Sequence, residues 1–280
     1  MLRFIPHALA FAAAAALLGG CPSPSCPSRA HTDPARALRY HRSMRRPART
    51  IRAEARVDQR GEEGRIRGTV LLFVERPERV RFDAMTQLGP AAVLTSDGEE
   101  FQLLDLREDR FLHGPSCPEN ISRLLGIPMS GEDLTRFVLG DTPRIAARSE
   151  SIRCTGGGTY LITLEGEGGE RQQIELAIRE ADLEAPVTEQ RLRLLRSEVF
   201  DAEGATIWRA TFGDYRVVPD PLSEAEPPMG VAMPFTIHFE GRGADTLVRF
   251  RSIDLNAEPP ADAFHQQPPP GIAIEYVGCR

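Results

Sequence analysis

The chain contains no lysine: all 34 basic side chains are arginine, and 40 acids leave a formal charge of −6. A net acidic chain lacks the electrostatic footprint of a nucleic-acid binder, so no nucleic-acid partner is expected. Aromatics are scarce, at 6% with one tryptophan, Trp208. There is no G-x-S-x-G elbow, no H-E-x-x-H pair and no Walker loop, so the commonest signatures of serine hydrolysis, zinc hydrolysis and nucleotide use are missing. Glycines 156–158 lie between strand-like segments and read as a hairpin rather than a phosphate cradle. His113 and His238 make no ligand spacing, so neither a metal nor another cofactor is expected. No carboxylate pair stands out as general acid and base, and the chain does not read as an enzyme. Long hydrophobic runs are missing too, with one exception. Ala8–Leu18 is an unbroken apolar run behind Arg3. As a helix it would rise only about 16 Å, too short for a bilayer core of about 30 Å, and it reads as an export signal.

Directly after that run, Leu-Gly-Gly-Cys at 18–21 resembles the bacterial lipobox. The resemblance implies a signal peptide over 1–20 and a mature chain that begins with acylated Cys21, anchored in a membrane by its N-terminal lipid. An ordinary secretory signal is the alternative. Pro22 follows in place of Asp, which by resemblance to the enterobacterial sorting rule implies the outer membrane, with the protein facing the periplasm. Without Arg3, 33 arginines face 40 acids, for a mature charge of −7. Setting Cys21 aside leaves Cys26, Cys117, Cys154 and Cys279. In an oxidising compartment four cysteines suit two disulfides, with three possible pairings. Cys117–Cys154 and Cys26–Cys279 are the expected pairs, with free thiols as the alternative.

Residues 21–48 are rich in Pro, Ser and Arg and read as a tether, with a short helix near 34–44. Its arginines suit either anionic headgroups or a solvated linker. From 49 to 256 the texture is that of one domain. Strand-like segments at 50–57, 65–75, 79–85, 91–97 and 100–106 are separated by GEEG, RPE, LGP and DG turns. On the second of these both faces are apolar: Ile66, Val70, Leu72 and Val74 on one, Leu71 and Phe73 on the other. Both sides of that strand should therefore be covered. Two short amphipathic helices follow, each with a capping signal (Ser116 with Glu119, Ser130 with Asp133) and a Gly/Pro stop. Strands resume at 149–154, 159–165, 171–179, 189–200, 205–213, 232–240 and 245–255, and 257–280 is a Pro-rich tail. The fold class expected is mainly β: one antiparallel, incomplete half-barrel of about eleven strands with short lid helices.

RLLGIPMSGEDLTRFVLG (123–140) resembles a block of the LolB family of outer-membrane lipoprotein receptors, relatives of LolA. It has a Leu-x-Gly-x-Pro turn and then a helix ending in an aromatic, an aliphatic and Leu-Gly. VRFDAMTQLGPAAVLTSDG (80–98) is similar to that family's strand–loop–strand with a Leu-Gly tip, and MPFTIHFEGRGADTLVRFRSIDL (233–255) to its closing hairpin. The resemblance implies a monomeric half-barrel with an apolar cavity for lipid or lipoprotein acyl chains. It would accept lipoproteins from a soluble periplasmic carrier and insert them into the outer membrane. Leu88 and Gly89 match the membrane-insertion tip, although Gln87 and Pro90 depart from the family pattern. Inward-facing Val70, Leu72 and Val93, with Leu124, Leu125, Phe137 and Val138 on the lid, are the expected cavity lining; ordinary core packing would use the same residues. A non-transporting envelope scaffold with the same fold is the runner-up, followed by a periplasmic lipid-modifying enzyme.

Overall fold

A computed structural model describes residues 26–279 apart from 62–63, 88, 127–128 and 227; of Ile66, Leu124 and Leu125 it describes the backbone. Expectations for the signal peptide, Cys21 and Leu88 therefore fall outside the described residues. Six strands come first: β1 (Thr50–Gly61), β2 (Gly64–Glu75), β3 (Arg79–Thr86), β4 (Gly89–Ser96), β5 (Glu100–Asp105) and β6 (Arg110–Pro115). Helices α2 (Pro118–Leu125) and α3 (Gly131–Val138) interrupt, after α1 (Pro34–Ser43) near the start. Then follow β7 (Ser149–Cys154), β8 (Thr159–Glu165), β9 (Arg171–Ile178), β10 (Leu192–Phe200), β11 (Thr206–Pro219), β12 (Gly230–Gly241), β13 (Ala244–Leu255) and β14 (Ala273–Tyr276).

Among the described residues fourteen strands form one open sheet, ordered β14-β6-β5-β4-β3-β2-β1-β13-β12-β11-β10-β9-β8-β7. Every pairing is antiparallel except β14 on β6. The mainly β, incomplete-barrel class expected from sequence is what the chain adopts. Every segment read as a strand is one, and β6 and β14 are additional. Register lines up one apolar face: Ala53, Leu72, Phe82, Leu94, Leu103 and Leu112 stand abreast across six strands. All six are buried in the main core. The other face is covered locally by the C-terminal tail. Phe264 meets Phe73 edge-on at 6.3 Å, and the Gln266 amide donates to the Val93 carbonyl at 3.0 Å. This explains why β2 is apolar on both sides.

Three expectations are corrected. Residues 26–48 are not a free tether, at least from Cys26 onward. Asp33 caps α1 by accepting from the Arg36 amide, and Ala37, Leu38 and His41 are buried. Those three positions make one helical stripe, so α1 belongs to the core. Second, the disulfides are Cys26–Cys154 and Cys117–Cys279. Cys117 follows β6 and Cys154 ends β7, strands on opposite flanks of the sheet, so nearness in sequence misleads. Third, α2 is N-capped by Cys117 without a side-chain bond, while the Ser116 hydroxyl bonds the Ser96 hydroxyl at 2.8 Å. The expected Ser116–Glu119 box is absent because Ser116 lies one residue before the cap. In α3 the expected cap holds: Ser130 accepts from the Asp133 amide.

Candidate functional site

Helix α3 lies over the apolar face, packed on β3 and β12. Its sequence dictates how closely. A Cβ on Gly131 would sit 2.5 Å from the Glu78 carbonyl, so only glycine lets the helix start there. Gly140, at φ +69°, ends the turn in a left-handed conformation that suits glycine. Between them Leu134, Thr135, Phe137 and Val138 are buried. Phe137 is central. Its ring stacks on Phe212 at 5.7 Å and meets Trp208 and Phe239 edge-on at 5.7 and 6.3 Å.

Beneath α3 remains a wholly apolar cavity of about 50 Å³, bounded by Ala55, Val57, Val70, Leu72, Phe82, Met129, Leu134, Phe137, Val138, Ile237, Phe239, Val248 and Phe250. It is a seam rather than a hollow. A single water needs about 10–15 Å³ of such space, so the seam has room for a few waters and not for a 16-carbon chain. The interior is mostly filled by the protein's own side chains. Beside the seam, sharing Met129 and Phe239 with it, lies an open vestibule of about 320 Å³. Ile145, Val199, Ile207 and Trp208 line it, with Asp133, Arg144 and Arg242 as its charged groups.

The end of the lid is fixed by buried polar groups. The Arg45 guanidinium is buried; Nε donates to the Leu139 carbonyl at 3.0 Å and Nη1 to the His41 carbonyl at 2.8 Å. Burial lowers its pKa, opposed by the Tyr215 hydroxyl and Asp141 beside it. Burial likewise pushes the Tyr215 phenol up to about 12 while it donates to the Leu194 carbonyl. Asp141 accepts from Arg42 at 2.9 Å and lies 3.7 Å from His41, whose pKa falls well below its ordinary value through burial and the nearby arginines. These contacts tie α1 and the turn after it to the segment that follows α3.

The sequence-derived lining divides as follows. Val70, Leu72, Phe137 and Val138 border the seam together. Val93 does not: it pairs with Asp83 and Leu104 on the opposite face, while Ala92 and Leu94 point into the core. Four successive apolar residues on β4, Ala91 to Leu94, conceal its alternation. Leu124 and Leu125 lie on α2 with undescribed side chains, and Leu88 falls outside the described residues. Its neighbour Gly89, at φ +125°, opens β4 and accepts a hydrogen bond from the Thr86 hydroxyl. Trp208 and Phe212 on β11 and Phe239 on β12 are not among the expected lining residues, although the four-residue spacing of the first two on one strand face was a usable signal. Among the described residues, Cys117, Glu119 and Cys279 alone cluster like metal ligands, but both sulfurs are joined in a disulfide. His238 pairs with Asp245 at 2.7 Å, and His113 packs edge-on against Tyr276.

No known protein family matches the chain, and no characterised protein matches it in sequence. Solved structures do match in shape. A DUF1329 family protein from Desulfovibrio piger aligns over 84% of this chain and 98% of its own, at 12% identity and TM-score 0.53. A domain described as an outer membrane lipoprotein-sorting protein, from Vibrio parahaemolyticus, aligns over 83% and 97%, at 12% identity and TM-score 0.51. A LolA superfamily protein from Nitrosomonas europaea aligns over 85% and 99%, at 11% identity and TM-score 0.49. The likeness to the first two is one of fold.

Proposed function

We propose that this chain is a lipid-anchored envelope protein whose apolar seam opens to take up acyl chains. The observation that carries the reading is the seam itself, a lid helix of eight residues laid over a continuous apolar sheet face with no polar atom in the lining. Uncovering Leu134, Phe137 and Val138 costs roughly 1.5–3 kcal/mol each. Burying a 16-carbon chain returns about 0.8 kcal/mol per methylene, roughly 13 kcal/mol in all. A chain can therefore displace the lid and remain bound, and it needs no nucleotide to do so. The fold shared with a domain described as sorting outer membrane lipoproteins supports this reading. So does the lipobox-like start, which argues for an outer-membrane anchor at Cys21 facing the periplasm.

The finer reading, acceptance of lipoproteins from a soluble carrier and their insertion into the outer membrane, rests on Leu88 in the β3–β4 turn. Leu88→Glu is expected to fold normally and keep bound lipid on solvent extraction, yet to lose delivery of a fluorescent lipoprotein to vesicles. Undiminished delivery would remove Leu88 from the mechanism. The scaffold alternative has one observation in its favour: the Phe137, Trp208, Phe212 and Phe239 rings pack against one another beside the seam. A native preparation free of lipid, with a seam that accepts none, would decide for it.

A further inference from the structure

The vestibule carries more information than its size. Its floor is apolar and continues into the seam, but its edge holds two arginines and one aspartate. Asp133 is already engaged, 3.6 Å from Arg136. Arg242 bonds Asp201 at 2.7 Å through one nitrogen and is otherwise largely exposed. Arg144 is different. It is half-buried, and among the described residues its guanidinium has no hydrogen-bond or ion-pair partner. Desolvation lowers its pKa, and so do Arg42 and Arg136 nearby, with Asp141 and Glu150 opposing them.

Its backbone is nevertheless held tightly. The fully buried Gln172 side chain donates to the Pro143 carbonyl at 2.8 Å and accepts from the Ile145 amide at 3.0 Å, gripping the chain on both sides of Arg144. Gln172 also donates to the Ser197 hydroxyl, which bonds Thr142. A partly desolvated cation without a partner costs free energy, which an incoming anion would recover. A solvated surface arginine would need no such clamp.

We propose that Arg144, with Arg242, binds the anionic headgroup, a phosphate or a carboxylate, of an amphiphile whose acyl chain lies in the seam. This rests on the acyl-chain reading and narrows it to ligands that carry an anionic group next to the chain. The Trp208 indole, in the same vestibule, supplies the signal. The mature protein is titrated, below micelle formation, with dodecyl phosphate, with dodecyl maltoside and with inorganic phosphate alone. Dodecyl phosphate is expected to bind at least about tenfold more tightly than the maltoside. Arg144→Gln is expected to abolish that preference, and Arg144→Lys to restore part of it. Inorganic phosphate should neither bind nor compete at millimolar concentration. Equal affinity for both detergents, or an Arg144→Gln protein with its preference intact, would overturn the headgroup assignment alone. Inorganic phosphate binding as tightly as dodecyl phosphate would make this a free-anion site and overturn the lipid assignment. Failure of both detergents to bind would remove the acyl-chain reading and this proposal with it.

Discussion

Replacing Phe137 with alanine is expected to lower unfolding free energy by about 3–5 kcal/mol, the usual loss for a buried phenylalanine. The size follows from its place in the lid. Its ring touches three others, stacked on Phe212 and edge-on to Trp208 and Phe239. Such aromatic contacts contribute about 0.5–1.5 kcal/mol each beyond simple burial. The same change should widen the seam, because Phe137 is one of its walls. Denaturant unfolding followed by Trp208 emission measures the first effect, and lipid retained through purification measures the second. An acyl-binding protein would lose stability and gain lipid; a filled scaffold would lose stability only. A loss below about 1 kcal/mol would show that the ring cluster does not hold the lid.

Removing either disulfide should have an effect of comparable size. The bridges join residues 128 and 162 positions apart. Loop-closure entropy for such lengths gives a stabilisation of about 5 kcal/mol for one bridge alone. The two loops overlap, so the joint effect falls short of the sum. Cys26→Ala with Cys154→Ala frees the segment leading into α1 and the edge strand β7. Cys117→Ala with Cys279→Ala frees β14 from β6, one flank of the sheet. Each pair of substitutions is expected to lower the denaturation midpoint markedly, and reductant should reproduce the effect in the native protein. An unchanged midpoint under reduction would mean that neither bridge closes a loop of this length.

What was legible in the sequence was what local patterns encode. Alternation along 173–179 and 234–240 identified strands, and Ser130 with Asp133 marked the start of α3. The same helix pattern placed Phe137 and Val138 on the covered face. Properties set by distant parts of the chain were not legible. The cysteine pairing depends on strand order, because β6 and β7 are neighbours in sequence and lie on opposite flanks of the sheet. Val93 looked inward because Ala92 and Leu94 are apolar as well, and only the tail residue Gln266, more than 170 positions away, shows what covers its strand. Arg144 had no local signal at all. Its clamp comes from Gln172 on β9, and its surroundings from Arg42 and Arg136. The aromatic cluster around Phe137 followed the same rule: each ring sat on a readable strand or helix, but their meeting point was tertiary.

The central claim is that the seam beneath α3 admits a fatty chain. Trp208, the only tryptophan, lines the vestibule beside that seam and packs against Phe137, a wall of the seam, so a heavy-atom quencher in the site should be seen directly. Palmitate brominated along its chain, added to the delipidated mature protein, should quench Trp208 emission saturably, and unlabelled palmitate should reverse it. Quenching no greater than that by bromoacetate, which has no chain to bury, would contradict the account.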